Sequence, residues 1–316
     1  MAEASSDTTK PVEPSLRERI ADNDIFIDFK RNRLVMFATA LLVLILGASL
    51  LAPWIAPTDP FDPLSLDIMN SNLPPVWQAD GQWPFLLGTD DQGRDMLSAV
   101  LYGLRVSIII SALGVFLAAA IGICLGVLAG YFGGFLDAFI MRVADIQLTF
   151  PAILIALLID GLLHGMLPSL SRESSASWVI IISIGLSFWV QYARTIRSST
   201  MVERKKDYVN AARLFGLPPV AIMARHILPN VMGPVLVILT INFGLAIITE
   251  ATLSYLGVGL PPMQPSLGTL IRIGQEFLFS GEWWIVAFPG IALAALVLTI
   301  NLLGDWLRDA LNPRLR

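Results

Sequence analysis

Cysteine is nearly absent from this chain: one residue, Cys124, among 316. That excludes an intrachain disulfide and any metal cluster built on cysteine. Cys124 lies inside an apolar run, where a small packing role is expected of it. Histidine is almost as scarce, and on the topology derived below His164 and His226 fall at opposite membrane faces, so they share no site. No G-x-x-x-x-G-K-[ST] occurs, so the chain brings no phosphate-cradling loop of its own. If ATP drives this protein, another chain hydrolyses it. No Ser/His/Asp set is assembled by the pattern. Cations gather at helix ends rather than along an open face, which gives nucleic-acid binding no support. Charged residues of both signs are only 15% of the chain.

What is present in abundance is apolar sequence. Hydrophobic residues are 55% of the chain and mean hydropathy is +0.69. Runs of about twenty apolar residues are long enough to cross a bilayer as helices. The formal net charge of −4 matters less than where the charges lie. Residues 1–33 are polar and include Lys10, Arg17, Arg19, Lys30, Arg31 and Arg33, which places this tail in the cytoplasm. The lead is too long for a signal peptide. Residues 34–55 form the first transmembrane helix. Residues 56–103 contain seven Asp and a single basic residue, Arg94, as an exported, periplasm-facing loop would. Prolines interrupt much of it, and Asp90 is placed as an N-cap near its end.

Residues 104–306 hold five further spans. The second, 104–129, carries Gly114, Ala118, Gly122, Gly126 and Gly130 at every fourth position, a small-residue ridge that invites close helix contact. Static packing and a sliding hinge both fit that ridge. The third, 139–163, contains Arg142, Asp145, Pro151 and Asp160. An Arg142–Asp145 pair on one helix face is the expected arrangement, with a kink at Pro151. The fourth runs over 178–196, the fifth over 231–255 with Glu250 near its outer end, and the sixth begins at an aromatic anchor, Trp283-Trp284. Residues 307–316 end the chain inside. The fold class expected is all-α, a bundle of six transmembrane helices without internal repeat.

The stretch 200–229 is the one sizeable water-compatible insert on the basic side. Seven basic residues on or beside it, against one in the first outer loop, set the orientation. Tyr208, Ala211, Ala212 and Phe215 fall at i, i+3, i+4 and i+7. Gly216 is placed to end that helix and Pro218 or Pro219 to open the next. Val220, Met223, Ala224 and Ile227 repeat the stripe, and Pro229 closes it. Thr200 and Glu203 have capping-box spacing, unless the preceding span runs through them. Two amphipathic helices meeting at a Gly-Leu-Pro-Pro corner make a knob. The pattern alone fits either a knob for a groove on another protein or a hairpin lying on lipid.

Asn210-Ala211-Ala212, Gly216 and Ile227-Leu228-Pro229 resemble the EAA loop of ABC-importer permeases, E-A-A, three residues, G, nine residues, I-x-L-P. Asn210 stands where Glu is usual, and His226 takes the isoleucine position. The run Gly88-Thr89-Asp90-Asp91-Gln92-Gly93-Arg94-Asp95 is similar to the G-T-D-x-x-G-R-D segment of the dipeptide/oligopeptide/nickel branch. Thr249 to Gly257 resembles its S-E-A-x-L-S-x-L-G, and Gly259 to Gly268 its proline-rich outer loop with Leu267 for Trp. Gly304 to Arg314 is equally family-like.

The resemblance implies the shorter, C-type permease of a type I ABC importer working by alternating access. It implies partners: a second homologous permease, two ATPase subunits, an extracytoplasmic solute-binding protein and the lipid bilayer of a bacterial inner membrane. ATP and Mg belong to the ATPase chains, with no cofactor here and no enzymatic activity of this subunit. Peptide cargo follows from the resemblance alone. Two other classes stay open on the residues. One is an ion-gradient-driven secondary transporter using Asp145, Asp160 and Glu250 as a relay, the other a membrane scaffold. Glu250 fits a polar translocation path or a structural bond, the resemblance favouring the second. Local bracing is the expected role of Gly88, Thr89, Asp90, Gly93, Arg94 and Asp95.

Overall fold

The computed structural model describes residues 24–60, 62, 66–166, 172–258, 260–261 and 264–310. The expectations resting on Lys10, Arg17, Arg19, Gly259, Pro262 and residues 311–316 lie outside them. Among the described residues the chain is helical, apart from turns and a lone bridge between Thr89 and Asp95. A short helix α1 (Asp24–Arg31) sets Phe29 edge-on against Trp306, ring centroids 5.3 Å apart. Asn32 then caps α2 (Arg33–Leu50), its side chain accepting from the Leu34 and Val35 amides. One further turn, α3 (Ala52–Ile55), follows.

The longest helix, α4 (Met96–Phe132), has 37 residues, about 55 Å of rise against a hydrocarbon layer of about 30 Å. It opens at Met96, inside the segment expected to be loop. The N-cap is Asp95, not Asp90: Asp95 accepts from the Ser98 amide at 2.8 Å. Asp90 sits one turn earlier and closes the tight turn before the helix.

The expected third span is broken. It consists of α5 (Gly134–Gln147) and α6 (Ala152–Met166), bent by 96° to one another. Pro151 has no amide to donate and disfavours helical backbone at Phe150, so the break falls directly before it. Next come α7 (Arg172–Glu203), α8 (Asp207–Leu214) and α9 (Pro219–Ile222). From α9 the chain runs through a π turn at Met223–Ile227 into α10 (Leu228–Val231). Then α11 (Gly233–Tyr255), α12 (Leu267–Phe277) and α13 (Trp284–Ala310) complete the bundle. Among the described residues five helices are long and apolar enough to cross a membrane, six spans if the bent pair is one.

The bundle is organised on α4 and α7, which share the most extensive contact among the described residues. A Cβ added at Gly122 would lie 2.4 Å from the Trp189 carbonyl oxygen, and one at Gly126 would lie 2.6 Å from that of Ala193. At Gly130 it would lie 2.6 Å from Thr200 Cβ. The four-residue ridge read from the sequence is therefore the seam along which the two backbones touch. The expected intrahelical pair Arg142–Asp145 does not form. Asp145 instead accepts from Arg194 of α7 at 2.7 Å, and Asp137 pairs with Arg197 of α7 through two bonds, one of 2.6 Å. With α5 lying against α7, a cross-helix cation is nearer than the one a turn away. Cys124, expected to be packed, is exposed on α4.

Candidate functional site: the helical corner and the braced acidic loop

The corner lies at the basic end of the bundle, between α7 and α11. The expected capping box at Thr200 is absent because α7 continues to Glu203. Glu203 acts as a brace instead. It pairs with Lys206 at 2.8 Å and accepts from the Tyr208 hydroxyl, which also takes a bond from Asn230 Nδ2 at 3.1 Å. Burial, and then the Glu203 carboxylate, push the Tyr208 phenol above its ordinary value. This network ties the start of α8 to the end of the hairpin.

The apolar residues of the corner divide into two sets. Val209 and Ala212 of α8, with Ile222, Met223 and Ile227, are buried against Ala118, Val127, Tyr192 and Ile196 of α4 and α7. The single stripe read through Tyr208, Ala211, Ala212 and Phe215 is corrected here. Ala212 faces the bundle and Ala211 is half-buried, but Phe215 is 86% exposed. Leu214 at 89% and Val220 at 72% are bare with it. The reason is geometric. Helix α8 docks by the face that carries Val209 and Ala212, and its last residues, Leu214 and the C-cap Phe215, lie outside that contact. Of the second stripe, Met223 and Ile227 are buried as expected, Val220 and Ala224 are exposed, and the π turn brings Ile222 onto the buried face five residues before Ile227.

Gly216 ends α8 as expected, at φ +74°. The Leu217 amide reaches back to the Ala212 carbonyl at 3.2 Å and the Gly216 amide to that of Arg213 at 3.0 Å, a Schellman closure. Asn210 and Pro229 are exposed and Leu228 is half-buried. Leu214 and Leu217 were legible as extra apolar residues in ARLFGLPPV, more than one helix face can hide. The sequence offers Glu203 only as a capping-box partner of Thr200 and gives no signal at Asn230, because their partners depend on where α7 ends.

At the opposite, acidic end, the G-T-D-x-x-G-R-D residues fold onto one another. The Thr89 hydroxyl accepts from the Leu73 amide at 2.8 Å and donates to the Asn70 carbonyl at 2.5 Å. Asp90 Oδ1 accepts from the Arg94 amide at 2.9 Å, while Oδ2 accepts from Arg94 Nε at 2.5 Å, with both side chains buried. Gly88 and Gly93 hold φ of +82° and +76°, and a Cβ at Gly93 would lie 2.1 Å from the Asp67 carbonyl oxygen. Burial pushes the Asp95 carboxyl up, against two hydrogen bonds from Ser98 that lower it. Burial also raises Asp91, with Asp90 adding to it. Trp284 donates from Nε1 to the Thr89 carbonyl at 3.0 Å, so only Trp283 of the expected aromatic anchor is free to meet an interface. Asp90→Ala leaves the Arg94 guanidinium in that buried loop without its carboxylate. We expect a loss of roughly 3 kcal/mol, measured as a lower thermal midpoint in detergent with helix content retained.

A helix missed in the sequence lies in the same region. The segment read as loop contains α12, capped by Ser266, with Gly268 close enough to α11 that a Cβ would sit 2.3 Å from the Ala251 carbonyl. Ser266 followed by Leu267, Leu270, Ile271 and Gly274 was the available signal.

The three intramembrane acids have separate partners. Asp145 bonds Arg194, Asp160 lies 3.3 Å from His164, and Glu250 accepts from the Ser254 hydroxyl at 2.8 Å with Ser107 and Ser266 beside it. Glu250 is fully buried where α4, α11 and α12 meet. We expect Glu250→Gln to lower the melting temperature while leaving cargo preference unchanged. An altered cargo profile with unchanged melting would reverse that assignment.

Comparison with known proteins agrees with this geometry. A family described as "binding-protein-dependent transport system inner membrane component" matches residues 122–316. One described as the "N-terminal TM domain of oligopeptide transport permease C" matches 23–75. The dipeptide transport system permease protein of Haemophilus influenzae is 38% identical over 288 residues, covering 91% of this chain and 93% of that one. The di/tripeptide transport system permease protein of Pseudomonas aeruginosa is 36% identical, covering 96% of both. The fold is similar to that of an inward-facing MetNI methionine ABC transporter chain, TM-score 0.53 at 18% identity, over 69% of this chain and 98% of that one. The chain belongs to the inner-membrane components of binding-protein-dependent transport systems, in the branch of the dipeptide and oligopeptide C-type permeases.

Proposed function

We propose that this chain is one permease subunit of an ATP-driven importer of dipeptides or oligopeptides, moving its cargo by alternating access. The observation that carries the coupling is the corner itself. One face is sealed onto α4 and α7, and the other leaves Leu214 and Phe215 bare on a Schellman-closed turn. An apolar cluster presented this way fits a groove on a soluble partner. In this reading the partner is an ATPase subunit, and the basic end of the bundle faces the cytoplasm. Motion of the corner passes to α7 and α11, which flank it in sequence. The acidic end receives cargo from an extracytoplasmic binding protein, and a second permease completes the path. Peptide cargo is supported by the names of the relatives matched along nearly the whole chain.

The separate pairing of Asp145, Asp160 and Glu250 weighs against a proton or cation relay. The test is transport in liposomes carrying the chain, a second permease and the ATPase subunits. Labelled dipeptide uptake should require both ATP and a binding protein. Uptake by this chain alone under an ion gradient would overturn the reading.

A further inference from the structure

Where the ends of α4 and α7 meet α8 there is a cavity of about 390 Å³ lined by Tyr131, Arg204, Lys205, Asn210 and Arg213. Its charges are held in position by neutral groups. Arg204 donates from Nη1 to the Tyr131 carbonyl at 2.8 Å, and the Arg213 guanidinium sits 5.1 Å over the Tyr131 ring. Among the described residues no carboxylate pairs with Arg204, Lys205 or Arg213, since Glu203 is engaged by Lys206 and Tyr208. Three cations around one cavity call for an anion with several acceptor oxygens.

The second observation lies one turn further along α4. An apolar groove of about 290 Å³ runs between Cys124, Val127 and Leu128 of that helix and Val220, Met223 and Ala224 of the hairpin. Positions 124, 127, 128 and 131 share one face of α4, which puts the groove and the cationic cavity on the same side of that helix, about one turn apart. The cavity lies at the level where α4 ends at Phe132, after an apolar run long enough to cross the hydrocarbon layer.

We propose that cavity and groove together bind one anionic phospholipid, the phosphate among Arg204, Lys205 and Arg213 and an acyl chain between α4 and the hairpin. Charge complementarity selects this occupant. A zwitterionic lipid brings its own cation to a cavity that already holds three. An acidic side chain from a partner protein would satisfy the cavity but leave the adjoining groove empty. The exposure of Cys124, which a packing role does not explain, is accounted for because it lines the acyl-chain groove.

The test uses the complex purified in mild detergent from bilayers of equal phosphatidylglycerol and phosphatidylcholine, with retained lipid counted by native mass spectrometry. Phosphatidylglycerol should be retained in preference to phosphatidylcholine. Lys205→Gln with Arg213→Gln, both exposed positions, should weaken retention roughly fivefold for each charge removed. Ala224→Trp should fill the groove and release the lipid with all three cations intact. Displacement of the lipid by millimolar inorganic phosphate, with Ala224→Trp still retaining it, would make this a simple anion site and sink the proposal. So would wild-type lipid retention by the double variant, whether or not it sheds a partner protein. Because the readout is bound lipid rather than transport, failure here leaves the transport reading untouched.

Discussion

Phe215→Asp should strip the ATPase subunits from the detergent-purified complex while the permease itself stays folded and inserted. Phe215 is 86% exposed, so its replacement removes almost nothing from the permease core. In the docked state it is the largest apolar side chain of the corner, and a carboxylate there must be desolvated against an apolar groove. Central aromatic anchors of interfaces cost about 2–4 kcal/mol when removed, roughly 30- to 1000-fold in affinity. Gly216→Pro should act as strongly by a different route. Proline cannot reach φ +74° and has no amide for the bond to the Arg213 carbonyl, so the corner must re-form. Gly216→Ala is the informative contrast. No atom lies within 4 Å of the added Cβ, leaving only the left-handed backbone penalty of about 1–2 kcal/mol. Its ATPase yield should fall between those of wild type and Gly216→Pro. Full ATPase yield from Phe215→Asp would remove the corner from the coupling route.

The sequence carried the spans and the corner because both rest on local physics. Long apolar runs have few alternatives to helix, and Gly216 followed by Pro218-Pro219 has few alternatives to a turn. What it did not carry depends on how elements meet. The phase of α8 on the bundle decided that Ala212 is buried and Phe215 bare, and helical spacing puts both residues on one stripe. The Arg194–Asp145 pair joins residues 49 apart, and a nearer intrahelical option at Arg142 concealed it. Helix α12 was hidden by the prolines before it, which made the whole segment read as loop. The acidic motif was recognisable as a unit, but the exchange of roles between Asp90 and Asp95 was not. Either carboxylate stands at a plausible distance before α4, and only the backbone path at Gly93 assigns the cap to the second.

The ridge on α4 supports the other large effect. Gly126→Leu should prevent accumulation of a folded permease, and Gly122→Leu should do the same. An ordinary small-to-large change in a core costs about 1–3 kcal/mol because side chains can shift. Here the first added atom already meets backbone. A Cβ at Gly122 would contact the Trp189 carbonyl oxygen at 2.4 Å, and one at Gly126 the Ala193 carbonyl oxygen at 2.6 Å. Backbone in a 32-residue helix has no rotamer to change, so α7 must move away as a body. That would take Tyr192 and Ile196 out of the cluster that also holds Val209, Ile222 and Ile227. The loss therefore spreads from the seam to the corner. It belongs with the exceptional substitutions above about 4 kcal/mol that need a named steric cause. Size-exclusion profiles and thermal unfolding in detergent read it directly. Gly161→Leu is the control, since no atom outside the helix lies within 4 Å of a Cβ there, and it should behave as wild type. A Gly126→Leu protein that melts like that control would mean that α4 and α7 slide apart at little cost. The ridge would then be a moving contact in the transport cycle rather than a fixed seam.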